Sequence, residues 1–362
     1  MRMKRRVTIT DVARESGCSP ATVSRVLNGT APVAAEKAQR VLRAAEVLGY
    51  LPDPAAKALA GQGTRAIGLL LPDIVNPFFP MLARGVEDVA HARNYTVLLG
   101  NTDNRVAEVI HYIESFLRYR CDGLILVGET PALADGIEAT VQRFGYGEGA
   151  ERPPLPLVWL DRVDAMSNAD VVTADNERGA ALAVAHLLAC DYRRIALIEG
   201  PHGTSTADQR KTGYLEALAA HGIAQRDEWI FSGDFSFQSG VSVMERILAL
   251  PPSKRPDAIL ATNDLMAIGA LSVALRAGVS VPDDFGFCGF DDIILGTMIY
   301  PALTTVAQPT YLLGATATDL LIDRIEGQYQ GPSRRHVLDV ELVARETTRR
   351  LAEEAADGVV AG

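Results

Sequence analysis

Three polar side chains lie close together in the segment TITDVARESGCSPATVSRVLNG (residues 8–29), and their chemistry suits contacts with a nucleic acid. Thr22 and Ser24 carry hydroxyls that can donate hydrogen bonds to phosphates or to base edges. Arg25 carries a guanidinium that can bind O6 and N7 of guanine through two hydrogen bonds. Pro20 and Ala21 are small and apolar, so they can contact a thymine methyl group. These residue types predict a surface that reads the major groove of DNA.

Capping signals place this surface on the second of two short helices. Thr8 and Asp11 have the spacing of a capping box, and Gly17 suits the left-handed residue that ends the first helix. Ser19 caps the second helix, so the pair predicts a helix-turn-helix. A small helical bundle that binds protein is the alternative for this block alone. We further predict DNA contacts from Thr8, Ser19, Asn28 and Tyr50.

The charge of the chain is unevenly distributed. The first 65 residues hold 11 Lys and Arg against 5 Asp and Glu, whereas the remainder holds 24 against 40. A basic first segment on an acidic body indicates that the first segment, and not the body, meets a polyanion.

The chain shows no pattern typical of an enzyme, a membrane protein or a secreted protein. Walker A, GxGxxG, HExxH and GxSxG motifs are absent, and the four cysteines have no metal-ligand spacing. We therefore expect no catalytic residue, no cofactor and no metal. No run of about 18 apolar residues exists, so we expect no membrane span. The basic N-terminus lacks the apolar core of a secretory signal, which predicts a cytoplasmic protein.

From Ala66 onward, short apolar runs alternate with helical patterns. The runs are AIGLLLP, YTVLLG, DGLILVG, PLVWLD, DVVTAD, RIALIEG, AILATN and FGFCGF. Runs of this length that are apolar throughout are typical of buried parallel strands, and their alternation with helices predicts sheets covered on both faces. Two successive sets of such units fit two lobes, with a break near Asp161–Asp164.

Several of these motifs together resemble the LacI/GalR family of transcriptional regulators. They are VTITDVARESGCSPATVSRVLNG, LGYLPDPAAKAL, IGLLLPDIVNPFF and GFDD, and the resemblance runs from about Val7 to Arg350. It implies an all-α helix-turn-helix head and an α/β body like a periplasmic binding protein, with two Rossmann-like lobes joined by three crossovers. One departure is Ala34, because the family usually has Ser or Thr at this cap, whose loss costs about 1 kcal/mol.

On this basis we predict five segments. They are the head (1–50), a hinge helix or linker (51–65), the first lobe (66–162 and 293–327), the second lobe (163–292 and 328–350) and a tail (351–362).

Ligands of such folds bind beyond the carboxyl ends of the strands, between the lobes. The sequence places polar and aromatic residues at those ends. We predict an effector site formed by Asn76, Phe78, Phe79, Asp161, Thr204, Thr206, Arg210, Phe235, Asn263 and Asp291.

Arg210 and Asp291 match positions where family members hold ligand, and an Arg facing an Asp can bracket vicinal hydroxyls. Thr204 stands where purine-sensing relatives carry a basic residue, which favours a sugar or polyol over a nucleobase. A nucleoside or another non-sugar metabolite is the alternative effector, and a corepressor-dependent or global regulator is the alternative mode of action.

The segment LPDPAAKALAGQG (residues 51–63) predicts a helix of about two turns, shorter than the roughly 12–15 residues that an isolated helix needs. The resemblance implies that it pairs with its counterpart from a second subunit in the minor groove, where Leu59 would be a wedge between base steps and Lys57 a phosphate contact. We therefore predict a homodimer on a palindromic double-stranded DNA operator. The tail has no sustained heptad repeat that would make a tetramer. A transport protein or a structural DNA-binding protein would account for only the body or only the head.

Overall fold

The computed structural model describes residues 7–28, 31–50, 63–128, 131–147, 154–161 and 169–349. The chain divides into two compact units, residues 1–64 and 65–362. The described part of the first unit contains three helices, α1 (Ile9–Ser16), α2 (Pro20–Asn28) and α3 (Ala35–Leu48). Val12, Val23 and Val41, one from each helix, are fully buried in a common core.

The predicted capping signals of the first unit form as hydrogen bonds. The Asp11 carboxylate accepts from both the backbone N–H and the hydroxyl of Thr8, at 2.9 and 2.7 Å. Gly17 ends α1 with φ of 63°, and the Ser19 hydroxyl accepts from the Thr22 N–H at 3.2 Å. Ala34 precedes α3 without a side-chain cap, as its methyl group requires.

The described part of the second unit contains two six-stranded sheets. The first sheet has the order β11-β5-β4-β3-β1-β2, and its paired strands are all parallel. Its strands are β1 (Ala66–Leu71), β2 (Thr96–Asn101), β3 (Gly123–Leu126), β4 (Leu157–Leu160), β5 (Asp170–Ala174) and β11 (Arg335–Leu338). The helices of this lobe are α4 (Phe78–Ala92), α5 (Val106–Arg118), α6 (Pro131–Arg143) and α12 (Thr310–Ile325).

The second sheet has the order β12-β10-β9-β8-β6-β7, and only β12 in it is antiparallel to its neighbour. Its strands are β6 (Ile195–Glu199), β7 (Ile230–Ser232), β8 (Ala258–Ala261), β9 (Gly286–Asp291), β10 (Thr304–Ala307) and β12 (Glu341–Val343). The helices of this lobe are α7 (Asn176–Ala189), α8 (Ser205–Ala220), α9 (Phe237–Ala249), α10 (Asp264–Arg276) and the short α11 (Leu295–Met298). Two 3₁₀ turns cover Asp227–Trp229 and Pro252–Lys254.

All eight apolar runs are strands, and the predicted parallel pairing of these strands is confirmed, the antiparallel exception in the described sheets being the short β12. Every residue of β3, β5, β6, β8 and β9 is buried, which is why these strands lack the alternation of a half-exposed strand. No helix in the described ranges is both long and apolar enough to cross a bilayer.

The predicted lobe boundaries are wrong for three strands. The chain crosses between the sheets at 175, at 308–309 and at 339–340, because β5 and β11 pair in the first sheet and β10 pairs in the second. Residues 169–174 and 328–338 therefore belong to the first lobe, and residues 293–307 belong to the second. The strands on either side of a crossover have the same apolar composition, so the local sequence does not reveal which sheet a strand joins.

Two glycines let α4 and α12 pack backbone against backbone. A Cβ on Gly85 would lie 2.1 Å from the carbonyl oxygen of Tyr311, and one on Gly314 would lie 2.1 Å from that of Leu82. Since a backbone carbonyl cannot rotate away as a side chain does, either methyl would force the helices apart.

We expect Gly85→Ala to lower the free energy of unfolding by about 2 kcal/mol through overpacking. The matched control is Gly136→Ala in α6, where the nearest atom is the flexible tip of Ile110 at 3.2 Å. There the better helix propensity of Ala favours a gain of up to about 1 kcal/mol. Thermal unfolding of both variants should give shifts of opposite sign, and equal shifts would contradict the close approach.

Candidate functional site

The second helix of the first unit presents the predicted DNA-reading side chains outward. Pro20, Ala21 and Arg25 are exposed, while Thr22 and Ser24 are half-buried. The Thr22 hydroxyl lies 2.9 Å from that of Ser19, which is exposed at the start of the helix.

The remaining predicted DNA-contact residues differ in their exposure to solvent. Thr8 is exposed, whereas Tyr50 is half-buried and packs against the core of the first unit. Asn28 ends α2, and its side chain lies outside the described residues, as do Lys57 and Leu59 entirely.

Nine of the ten predicted effector residues line one small cavity between the lobes, which we call the inner cavity. These residues are Asn76, Phe78, Phe79, Asp161, Thr206, Arg210, Phe235, Asn263 and Asp291. The tenth, Thr204, lines a larger adjoining space of about 810 Å³, the outer cavity, which shares Asn76, Phe79 and Phe235 with the first. The inner cavity measures only about 20 Å³.

The first lobe supplies the aromatic wall of the inner cavity. Asn76 follows β1, and its side-chain oxygen accepts from the Phe78 N–H at 3.1 Å, which orients the first turn of α4. Phe78 and Phe79 stack edge to face with ring centroids 5.2 Å apart, and both are nearly fully buried. A rigid pair of rings at a helix start suits the apolar face of a ligand ring.

The second lobe supplies Arg210, which is only 4% exposed and is held from several sides. Its Nε donates to Asn176 Oδ1 at 2.8 Å, and its Nη1 donates to the Thr262 carbonyl at 2.5 Å. Nη1 also lies 3.4 Å from Asp291 Oδ1. The guanidinium stacks on Phe290, with 3.8 Å between Cζ and the ring centroid. These contacts fix the plane of the guanidinium.

Asp291 ends β9 and joins this network to a crossover. Gln308, which lies where the chain returns to the first lobe, donates from Nε2 to Asp291 Oδ1 at 2.7 Å. Asn176 begins α7 directly after the preceding crossover. Two residues at crossovers thus hold the Arg210–Asp291 pair. Neither is signalled in the sequence beyond its place after a strand.

Backbone conformation marks the inner cavity as well. Asp161, Phe235 and Asp291 have φ of 63°, 67° and 113°, which residues with a Cβ rarely adopt. Asn263 supports one of them, because its Nδ2 donates to the Phe235 carbonyl at 2.9 Å while its Oδ1 caps α10. Such outliers persist where surrounding structure enforces them, often at functional sites.

A second carboxyl group lies behind the inner cavity. Asp264 is fully buried, and burial, followed by the nearby Asp291 charge, raises the pKa of Asp264 well above its usual range. Its oxygens accept from the Thr305 hydroxyl at 2.5 Å and from the Ile293 N–H at 2.8 Å. Asp264 therefore ties β10 and the segment after β9 to the start of α10, and it has a structural role. In the described part of the chain, no group of three or more His, Cys, Asp and Glu side chains is arranged to hold a metal ion.

Known proteins share both units. A family model described as bacterial regulatory proteins, lacI family, matches residues 8–53, and one described as a periplasmic binding protein-like domain matches residues 184–348. The ribose operon repressor of Halalkalibacterium halodurans is 40% identical over 342 residues, which cover 94% of this chain and 97% of the repressor.

Two solved structures extend the likeness. The lac repressor dimer bound to operator and the anti-inducer ONPF is 28% identical with a TM-score of 0.83, covering 96% of this chain and all of its own. A LacI family regulator from Enterococcus faecium with bound ribose is 31% identical with a TM-score of 0.67, covering 78% of this chain and 98% of its own. These relatives are regulators of transcription and not enzymes. The chain therefore belongs to the LacI family of bacterial transcriptional regulators.

Proposed function

We propose that this protein is a cytoplasmic repressor that binds a palindromic operator as a homodimer and is switched by a sugar between its lobes. The observation that carries the proposal is the inner cavity, where nine side chains from both lobes meet in a chain that begins with a helix-turn-helix. A DNA-reading unit in the same chain as an interlobe cleft, whose outer cavity of about 810 Å³ can hold a ligand, is the architecture of a sensor and not of a transport or structural protein.

The dimer follows from the small reach of one helix-turn-helix, which reads only a few base pairs. Two heads on a palindrome double the number of base contacts, and Leu59 and Lys57 of the linker would add minor-groove and phosphate contacts at the centre. The likeness to a lac repressor dimer bound to operator supports this arrangement.

The sugar follows from the chemistry of the inner cavity. Arg210 and Asp291 offer donors and acceptors to neighbouring hydroxyls, while Phe78, Phe79 and Phe235 offer apolar faces to a ring. The name of the ribose operon repressor and the ribose bound by the Enterococcus faecium regulator support the same class. A ligand that closes the lobes would shift the spacing of the linkers and so bias operator binding.

The test is a gel shift on the promoter next to the gene, combined with a thermal-shift screen of sugars, polyols and nucleosides. We expect a specific band whose intensity changes with the sugar that raises the melting temperature. A band indifferent to every stabilising compound would overturn the sensor, and stabilisation by nucleosides alone would replace the sugar by the alternative effector.

We expect Arg25→Ala to weaken operator binding by about 10- to 100-fold, the cost of one lost bidentate base contact. Binding to unrelated DNA and the effector-induced thermal shift should change little, because Arg25 is an exposed residue of α2 in the first unit. Fluorescence anisotropy on operator and scrambled duplexes measures both affinities. An equal loss on the two duplexes would mean that Arg25 contacts phosphate and not a base.

A further inference from the structure

The charged side chains around the two cavities are strongly unequal in number. Among the described residues that line the inner and outer cavities, four are aspartates, one is an arginine and one is a histidine: Asp73, Asp161, Asp234, Asp291, Arg210 and His202. The described lining is therefore acidic, which disfavours a negatively charged ligand.

The one guanidinium among the described residues of this lining already faces an anion. The Nη1 atom of Arg210 lies 3.4 Å from Asp291 Oδ1. Other N–H groups of Arg210 donate hydrogen bonds to Asn176 Oδ1 and to the Thr262 carbonyl. A ligand anion placed there would meet the Asp291 charge as closely as the Arg210 charge. The pair thus has donors and acceptors for hydroxyls but no net positive charge for a phosphate or a carboxylate.

Asp234 adds a fixed negative charge to the wall of the outer cavity. Partial burial alone would raise the pKa of Asp234, but hydrogen bonds from Ser236 and Ser239 outweigh it and lower the pKa below its usual value. The Ser236 N–H donates to Asp234 Oδ1 at 2.9 Å. Asp73 on the opposite lobe accepts from the Val75 N–H in the same way, at 2.9 Å.

Helix N-termini at the cleft would be the natural binding points for an anion, but most are occupied by their own caps. Asn76, Ser236 and Asn263 accept from the first N–H groups of α4, α9 and α10. The starts of α5 and α8 have no side-chain cap, yet the basic side chains beside them already face carboxylates, Arg105 facing Asp103 at 3.2 Å. His202 and Lys211 lie 3.4 and 2.7 Å from the carboxylate of the buried Glu199.

We propose that the effector is an uncharged polyhydroxy compound and that Asp73 and Asp234 exclude its phosphorylated and carboxylate derivatives. This inference rests on the proposed function, since it names the charge class of the ligand that binds between the lobes. Asp234 is then a specificity-determining residue, acting through charge without a direct bond to the ligand.

Calorimetry on the full-length protein with matched pairs tests the exclusion. The probes are D-ribose and D-ribose 5-phosphate, D-glucose and D-glucose 6-phosphate, D-glucose and D-gluconate, and adenosine and AMP. We expect the tightest ligand to be uncharged and its anionic partner to bind at least about 100-fold more weakly at low salt. The ratio of the affinity for the uncharged ligand to that for its anionic partner should fall as salt rises from 50 to 500 mM (about 14 to 4 Å of Debye length). Screening weakens the repulsion between the aspartates and the anion.

Asp234→Asn separates charge from shape. The amide keeps the acceptor for the Ser236 N–H, so we expect the loop conformation to be retained. The affinity for the anionic ligand of each pair should rise about fivefold relative to the affinity for the uncharged ligand. Asp191→Asn, at an exposed carboxylate that pairs with Arg193 and lines neither cavity, should leave the ratio unchanged.

The outcomes distinguish the two levels of the proposal. An anionic partner that binds as tightly as the uncharged one, or an exclusion insensitive to both salt and Asp234→Asn, overturns this inference and leaves the sugar sensor standing. Absence of binding by every uncharged probe overturns the sugar sensor and this inference with it.

Discussion

Arg210→Lys is expected to weaken effector binding about 100-fold while the repressor still binds its operator. The guanidinium donates to Asn176 and Thr262, faces Asp291 and stacks on Phe290. A lysine ammonium has neither the planar shape nor the fixed fork of donors that these contacts need. Because the positive charge is retained, the buried Asp291 is not left uncompensated and the fold persists.

The measurement pairs calorimetry of the effector with a gel shift in its presence. The matched control is Arg246→Lys, an exposed arginine that also stacks on a phenylalanine, Phe231, but lies outside both cavities. If Arg210→Lys and Arg246→Lys respond to effector alike, the Arg210–Asp291 pair is not the site.

Asp170→Asn is expected to lower the free energy of unfolding by about 3 kcal/mol, the scale of a broken buried ion pair. Asp170 is fully buried at the start of β5 and accepts from Arg324 Nε and Nη2 at 2.8 and 2.6 Å. Arg334 adds its backbone N–H at 2.7 Å and Nη2 at 2.8 Å. The carboxylate thereby joins β5, β11 and α12, so its charge is needed where the chain returns to the first sheet.

The control is Asp319→Asn, an exposed carboxylate that lies 3.4 Å from Arg93, for which we expect a loss of less than about 1 kcal/mol in the free energy of unfolding. Urea unfolding of both variants measures the difference. Equal losses would show that the Asp170 charge is not required.

The same carboxylate predicts a pH dependence. Burial alone would raise the pKa of Asp170, but hydrogen bonds from Arg324 and Arg334 outweigh burial and lower it. A lowered folded-state pKa means that the stabilisation is complete above the unfolded value of about 3.9 and is lost as pH falls through the folded value. The gap between wild type and Asp170→Asn should therefore be full at neutral pH and close only in acid below about pH 4.

Local patterns were sufficient for most of the fold. Caps such as Ser19 and Gly17 satisfy their own helix ends, so their meaning does not depend on distant residues. Five of the eight apolar strands, β3, β5, β6, β8 and β9, are wholly buried and therefore mostly apolar, whereas β2 was recognised from its apolar composition although most of it is half-buried or exposed. In contrast, β7 and β12 have three residues each, and β11 is mostly exposed, so their apolar signal is too weak to distinguish from a loop.

The inner cavity was predictable to the extent that it lies at strand ends. Asn263 and Asp291 directly follow or end apolar runs, so the parallel topology brings them to one edge. Asn176 and Gln308 were missed because their role depends on where the chain crosses between sheets. That position is set by strand pairing across the whole body and not by the neighbouring residues.

The small inner cavity has a kinetic consequence. About 20 Å³ holds roughly one water molecule and no sugar ring, so a ring does not fit inside the inner cavity beside Arg210 in this conformation, although Asp291 also lines a second cavity of about 470 Å³. If the proposed function is right, the lobes must open before a ligand can bind, and they must open again before it can dissociate. In stopped-flow experiments the observed association rate should level off at high effector concentration, at the opening rate of the lobes. The lifetime of the signal in the cell would then be set by that motion more than by the strength of any single contact.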